Sequence, residues 1–386
     1  MTGPARTAAA RPRIAGARLR ELDALRGIAA LLVVCLHVVQ LYAGLGGDAA
    51  RGRWLYDLAQ GLDCGRVGVV TFFLISGFVI PFSIRASDDA PLTGFVIRRF
   101  FRIFPAYWLS VPLGAWAVYR LSGRPFGTGE LLANLLLLQD ALGVAPAQGV
   151  YWTLSIELVF YALCVALALA GSLRDPVRVG LLAAALLGAH TLAVYAIWLG
   201  APLSQPPVFA ALHLSLMLCG TLYRSCLLER AATPPFARRL LVALLLYLLV
   251  LFPLAAVWAR GAYANYVVAD ALGVALFVAG TTVARVRTRL TDRLGAISYP
   301  VYLFHLVVAC ALLAWLQRQA PGSAWRTQPL GVYVVAVVLM TVPIAALVHR
   351  WIEQPCIAFG RRCAARFASA RVPVHGGGAA GAEGRA

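Results

Sequence analysis

Long apolar runs recur along the whole chain, separated by short polar segments that are rich in arginine. A membrane-spanning helix needs about 20 mostly apolar residues, and ten stretches meet that requirement. The pattern therefore predicts an all-α polytopic membrane protein with about ten transmembrane helices. The predicted spans cover residues 24–44, 67–84, 103–121, 151–171, 177–199, 207–226, 238–258, 266–283, 297–316 and 330–352.

A further apolar run at 130–144 is too short to span, and Asn134 and Asp140 interrupt it. We predict an interfacial or re-entrant helix there. With ten spans and a cytoplasmic N-terminus, 25 arginines lie in inner segments and 8 in outer ones, which is the asymmetry typical of membrane proteins. If 130–144 spanned the bilayer, every later loop would change sides and this asymmetry would be lost. The arginines therefore favour ten spans, with both termini in the cytoplasm and the chain in the cell (inner) membrane.

Composition agrees with a membrane protein and excludes other classes. The chain is 61% hydrophobic and 13% charged, whereas soluble domains average about 45–50% and 25%. The net charge of +18 comes from arginines placed between apolar runs, so it does not form a nucleic-acid-binding face. The eight cysteines form no CxxC pair and none has a histidine at metal-ligand spacing. We therefore predict no metal site and no disulfide framework.

The chain divides into one membrane domain and two tails. We predict a disordered basic cytoplasmic tail over 1–20, a membrane domain over 21–356, and a second disordered cytoplasmic tail over 357–386 that is rich in Arg, Ala and Gly.

The first span carries two ionisable side chains, Arg26 and His37. They are eleven residues apart, so a helix places them on the same face, about 16 Å apart along its axis. Such a polar stripe must face protein or a water-filled cavity. The alternative is an arginine that extends to the membrane surface and a histidine that only packs.

The fourth span, "YWTLSIELVFYAL", places Glu157 at about the same depth as His37. A carboxylate beside an imidazole fixes its tautomer, and the pair suits general-base work on an alcohol. An ion pair that merely joins two helices fits the same spacing.

The inner loop "FVIRRFFRIFP" carries Arg99 and Arg102 as neighbours on one helical face. Two adjacent guanidinium groups suit a phosphate or pyrophosphate. Anchoring to anionic lipid headgroups explains the same two arginines.

These segments together resemble the acyltransferase-3 family of integral membrane acyltransferases, of the O-antigen acetylase type. The resemblance covers about residues 20–356. Six motifs in the family's order carry it: Arg26 and His37 in "ELDALRGIAALLVVCLHV", "FFLISGFVI", Arg99 and Arg102 in "RRFFRIFPAYW", Trp152 and Glu157 in "YWTLSIELVFY", "ISYPVYLFHL", and "WIEQP".

The resemblance implies a ten-helix enzyme that moves an acyl group, acetyl in our interpretation, from cytoplasmic acyl-CoA to a hydroxyl of a glycan, a lipid-linked saccharide or a related acceptor. It implies that Arg26 and His37 are essential and that Arg99 and Arg102 help to hold the donor. We expect acyl-CoA as a co-substrate, no permanently bound cofactor, and membrane lipids around the chain.

In the mechanism that we predict, Glu157 orients His37, and His37 takes the proton of the acceptor hydroxyl; a covalent acyl-His relay stays open. Ser76 could donate to the oxyanion, although a Ser-Gly pair more often permits close helix packing, and Ser155 has the same alternative. Three further side chains could line the site, each with a structural alternative: Trp152, Tyr302 and His305.

Two other functions fit part of the pattern. A proton-coupled transporter or flippase of a glycolipid or small solute could use a buried His and Glu as a proton relay, and a non-catalytic scaffold needs neither residue. The cytoplasmic arginine pair favours the enzyme, because a phosphate-bearing thioester donor explains it.

Overall fold

The computed structural model describes residues 10–45, 53–84, 90–203, 205–258, 264–284 and 288–369, and within these ranges every regular element is a helix. This confirms the predicted all-α class. Nine helices in the described part are long and apolar enough to cross a membrane. They are Glu21–Tyr42, Cys64–Ser83, Gly149–Leu169, Pro176–Trp198, Val208–Leu228, Pro235–Val257, Ala264–Thr282, Ser298–Gln317 and Leu330–Phe367.

The α-helices are numbered in chain order, and short 3-10 or π turns extend several of them. They are α1 Ala10–Tyr42, α2 Arg53–Gly61, α3 Cys64–Val79, α4 Pro91–Ala115, α5 Thr128–Leu135, α6 Gln139–Leu142, α7 Trp152–Leu169, α8 Pro176–Trp198, α9 Gln205–Leu228, α10 Pro235–Leu246, α11 Phe252–Trp258, α12 Ala264–Thr282, α13 Arg289–Ala296, α14 Ser298–Gln317, α15 Leu330–Val348 and α16 Gln354–Ser369.

The third predicted span, 103–121, lies in α4 and in the π turn Trp116–Arg120 that continues it. This helix carries Pro105 and Pro112 in its interior and is not among the nine apolar helices. Its first turns also contain the Arg99 and Arg102 motif, and these charged side chains lower its hydropathy. Its crossing of the membrane stays a prediction.

The run at 130–144 forms the two short helices α5 and α6, neither of which is long enough to span. The buried Asn134 side chain holds this hairpin together: its amide donates to the carbonyls of Glu130 and Ala145 at 2.8 and 2.9 Å, and its oxygen accepts from Ala147 N at 2.7 Å. A polar residue inside an apolar run therefore ends the helix here.

Helices extend into both segments that the sequence predicts as tails, and the boundaries of those tails stay predictions. Helix α1 begins at Ala10, inside the segment 1–20 predicted as disordered, and α16 continues to Ser369, beyond the predicted domain end at 356. The remainders of both tails, 1–9 and 370–386, lie outside the described residues. The C-terminal helix is held because Gly360 packs directly on Phe101 of α4.

Helix α3 is the centre of the bundle and packs against α1, α9 and α12. Its closest approach is to α9, where two glycines interlock. A Cβ atom built on Gly77 would lie 1.7 Å from the Met217 carbonyl oxygen, and one built on Gly220 would lie 2.2 Å from that of Leu74. The Ser76–Gly77 pair therefore permits close packing, as its alternative interpretation predicted, and places Ser76 beside the bundle interior.

We expect Gly77→Ala to destabilise the bundle, because a methyl group cannot fit against the Met217 backbone. Overpacking of this kind costs about 1–3 kcal/mol or more. Gly188→Ala on α8 is the matched control, since a Cβ there has no atom within 4 Å. Thermal unfolding in detergent followed by size-exclusion chromatography measures both. Equal stability of the two variants would contradict the packing argument.

Candidate active site

A cavity of about 830 Å³, including its open mouth, lies between helices α1, α3, α4, α7 and α14. Its wall contains three arginines and one glutamate from three different helices, α1, α4 and α7. The polar side chains that line it are Arg26, Ser76, Arg99, Arg102, Thr153, Glu157, Tyr161, Ser298, Tyr299 and Tyr302. Six residues predicted for the site from the sequence thus share one cavity: Arg26, Ser76, Arg99, Arg102, Glu157 and Tyr302.

Arg99 presents a guanidinium group whose hydrogen-bond partner is neutral. It donates to the Ser83 hydroxyl at 2.8 Å, and it stacks on the rings of Phe95 and Tyr161 at 5.6 and 5.4 Å. Among the described residues, no carboxylate lies within ion-pair distance of it. Arg26 on α1 forms a partly exposed ion pair with Asp23 at 3.3 Å. Arg99 is therefore available to an anionic ligand, and Arg26 adds further N–H donors to the same cavity.

Arg102 is different, because it forms an ion pair with Glu353 of the π turn that precedes α16. The Glu353 side chain is 0% exposed, and its other oxygen accepts from His349 Nδ1 at 2.8 Å. Arg102 also stacks on Tyr299. The two arginines of the sequence motif thus differ in charge balance: Arg102 is neutralised by a buried partner that joins α4 to the C-terminal helix, whereas Arg99 is not.

The predicted pair between His37 and Glu157 is wrong. Glu157 accepts a hydrogen bond from the Tyr161 hydroxyl one turn along α7 and faces the cavity. His37 faces α14 instead. The two residues were matched by depth in the membrane, and depth does not determine the direction in which a side chain leaves its helix.

The partner of His37 is His305. His37 Nδ1 lies 3.0 Å from His305 Nε2, and the two rings stack with centroids 5.2 Å apart at 28°. His305 is 0% exposed, while His37 is half-buried. His305 Nδ1 lies 2.8 and 3.2 Å from the carbonyl oxygens of Tyr302 and Val301. Both histidines are candidates from the sequence, but the sequence carries no signal that they pair, because 268 residues separate them.

Tyr302 connects the histidine pair with the cavity. Its ring is part of the cavity wall and lies 6.0 Å from the His305 ring and 6.0 Å from Phe72, which also lines the cavity. Its hydroxyl contacts the Val150 carbonyl at 3.0 Å and the Thr153 hydroxyl at 2.8 Å. Neither histidine lines the cavity, so the pair lies one aromatic layer beyond it.

Two other predicted lining residues do not border the cavity. Trp152 packs on Phe73 and on the buried His213, at centroid distances of 6.1 and 5.0 Å. Ser155 donates to Asp140 of α6 at 2.5 Å. Both therefore act in contacts of α7 with its neighbours.

In the part of the chain that the structure describes, no group of three or more His, Cys, Asp or Glu side chains is placed to hold a metal.

Comparison with known proteins identifies the scaffold around this cavity. A family model described as an acyltransferase domain, acyltransferase-3, matches residues 19–350. The chain belongs to the acyltransferase-3 family. The predicted resemblance is thereby confirmed, and the protein is a multi-pass membrane enzyme that transfers acyl groups.

Two relatives show how much of the chain the sequence similarity covers. Acyltransferase MdmB of Streptomyces mycarofaciens is 28% identical over 387 residues, which cover 89% of this chain and 93% of that protein. Nodulation protein 10 of Rhizobium leguminosarum bv. viciae is 30% identical over 136 residues, which cover 30% of this chain and 35% of that protein. No solved structure matches this acyltransferase-3 chain.

Proposed function

We propose that this acyltransferase moves an acyl group, acetyl in the first instance, from cytoplasmic acyl-CoA to a hydroxyl of a glycan, a lipid-linked saccharide or a related acceptor. The observation that carries the proposal is the arginine-lined cavity. Its Arg99 has no carboxylate partner among the described residues, and the Tyr302 ring lies between the cavity and the pair of His37 and His305.

Arg26, Arg99 and Arg102 form the part of the cavity that we call its arginine end, and this part suits the phosphates of the donor. Guanidinium groups bind phosphate oxygens through two parallel hydrogen bonds, and Arg99 and Arg26 both have donors to offer. Arg102 supports the same wall, but its charge is already balanced by Glu353. We propose that this end faces the cytoplasm and that both termini lie in the cytoplasm of a cell-membrane protein, an orientation that the distribution of arginines favours. Acyl-CoA, which is soluble in the cytoplasm, enters there.

The middle of the cavity suits the pantetheine arm. Ser76, Thr153, Tyr302 and Glu157 supply hydroxyl and carboxylate groups to its wall. Such groups accept and donate hydrogen bonds to amides, and the distance of about 16 Å between Arg26 and His37 matches the length of an extended arm. For the thioester to reach His37, the rings of Phe72 and Tyr302 must separate.

The transfer step needs one base. His37 removes the proton of the acceptor hydroxyl while the hydroxyl oxygen attacks the thioester carbonyl. The tetrahedral intermediate then breaks its carbon–sulfur bond, CoA leaves as the thiolate, and the imidazolium returns the proton to that sulfur. The products are an ester and free CoA. In the alternative route, His37 first accepts the acyl group and then passes it to the hydroxyl.

The test is direct transfer of label. The full chain in lipid nanodiscs receives acetyl-CoA with a ¹⁴C-labelled acetyl group, together with a lipid and glycan extract of the cells that produce the protein. We expect release of free CoA and label in a product that mild alkali cleaves, as an ester does, and mass spectrometry then identifies the acceptor. Nanodiscs without protein are the control. If all label remains on acetyl-CoA with every extract fraction, acetyl transfer is excluded.

A further inference from the structure

We infer that His305 is a positioning residue for acyl transfer, which holds His37 in the tautomer whose Nε2 carries a free lone pair. The inference rests on the proposed function, in which His37 is the base. It goes further by assigning a task to a fully buried histidine that touches no part of the cavity.

The backbone around His305 decides where that ring carries its proton. Its Nδ1 lies 2.8 Å from the Tyr302 carbonyl oxygen and 3.2 Å from that of Val301. A carbonyl oxygen only accepts hydrogen bonds. A bare Nδ1 would direct its lone pair at two carbonyl oxygen atoms in a fully buried position, so Nδ1 carries the hydrogen. The neutral ring then has its lone pair on Nε2.

The protonation of His305 in turn determines which ring nitrogen of His37 carries a proton. His305 Nε2 can only accept, and it lies 3.0 Å from His37 Nδ1, beside the Val33 backbone carbonyl one turn back on α1, which is a second acceptor for the His37 ring. His37 therefore donates from Nδ1, and in the neutral ring this leaves Nε2 without a proton. The hydrogen bond made by one ring nitrogen sets the state of the other. His37 is half-buried and His305 is 0% exposed, so only the free Nε2 of His37 can meet a hydroxyl.

The arrangement also supports the charged state that the reaction creates. When His37 takes a proton, the Nδ1–H···Nε2 contact becomes a hydrogen bond with a charged donor, which is about twice as strong as a neutral one. His305 supplies the lone pair without carrying a charge of its own. Burying a carboxylate for the same purpose would cost several kcal/mol of desolvation, and the neutral acceptor avoids that cost.

Three substitutions separate this role from packing. His305→Gln places an amide oxygen near the position of Nε2, where it can accept from His37. His305→Asn reaches only the position of Nδ1, and His305→Leu has no acceptor. We expect the kcat of acetyl transfer to fall about 10- to 100-fold in the Asn and Leu variants, a range typical of residues that orient a functional ligand. The Gln variant should lie close to wild type.

The measurement is the kcat and the KM for acetyl-CoA of each His305 variant in nanodiscs, compared separately with those of the wild-type protein. The KM for acetyl-CoA should stay unchanged in all three variants, because the arginine end of the cavity is untouched. Melting temperatures are measured alongside; if the Leu variant does not fold, the two amides Gln and Asn carry the comparison. A folded Leu variant with wild-type kcat would overturn the inference, as would Gln and Asn variants that are equally impaired. A wild-type protein without transfer would instead remove the proposed function.

Discussion

Replacing His37 by alanine is expected to lower the kcat of acyl transfer about 10²- to 10⁴-fold, the range that general-base groups contribute. Two other candidate bases among the described residues already have hydrogen-bond partners: Glu157 accepts from Tyr161, and the Nδ1 of His305 is bonded to backbone carbonyls. The measurement is transfer of ¹⁴C-acetyl in nanodiscs, with the amount of folded protein determined by size-exclusion chromatography.

His190→Ala is the matched control for His37→Ala. His190 is also a buried histidine of a membrane helix, and its Nδ1 faces the Val208 carbonyl at 2.9 Å, but it does not line the arginine cavity. We expect this variant to keep most of its kcat. A folded His37→Ala protein that transfers acetyl at the rate of the His190→Ala protein would show that His37 is not the base.

The same experiment distinguishes the two routes that involve His37. Wild-type protein is exposed to labelled acetyl-CoA without acceptor and then quenched in denaturant. Label that remains bound to the protein, is located at His37 by peptide mass spectrometry and is missing from His37→Ala indicates the covalent relay. Label that stays on CoA until acceptor is added indicates direct attack by the hydroxyl.

Hydropathy and the placement of arginines predict most of the membrane-spanning helices of this protein. Nine of the ten predicted spans correspond to apolar helices of sufficient length, and the short run around Asn134 is a pair of small helices. The differences occur where another contact overrides the local pattern. Helix α16 continues to Ser369 because it packs on α4, which composition alone does not reveal.

Part of the site was predictable because helix order fixes the end of the bundle at which each residue lies. Arg26, Arg99 and Arg102 all fall near the ends of their spans on the same side, and they share a cavity. The direction in which each side chain leaves its helix depends on packing between helices that are distant in sequence. For this reason the partner of His37 is His305 and not Glu157.

The Arg102 ion pair depends on a contact between helices that are distant in sequence. Glu353, in the WIEQP motif, is the buried carboxylate that pairs with Arg102. The sequence treated Arg99 and Arg102 as equivalent, since spacing carries no information about which of two neighbours has a buried partner.

Arg99 and Arg102 are accordingly expected to respond differently to the same substitution. Arg99→Gln should raise the KM for acetyl-CoA about 10- to 100-fold with little change in melting temperature, because a hydrogen bond to a charged group contributes about 1.5–3 kcal/mol. Arg102→Gln should mainly lower stability, because it leaves the buried Glu353 carboxylate without its arginine. Breaking a buried ion pair in this way costs about 3–5 kcal/mol.

The double variant Arg102→Gln/Glu353→Gln separates the two effects. It removes the unpaired carboxylate together with the arginine, so its melting temperature should recover toward wild type while the Arg99 guanidinium stays in place. If Arg102 acts through Glu353, the double variant also regains a KM for acetyl-CoA close to wild type. A stable double variant whose KM rises as much as that of Arg99→Gln would mean that both guanidinium groups hold the donor, and that the ion pair opens when acyl-CoA enters.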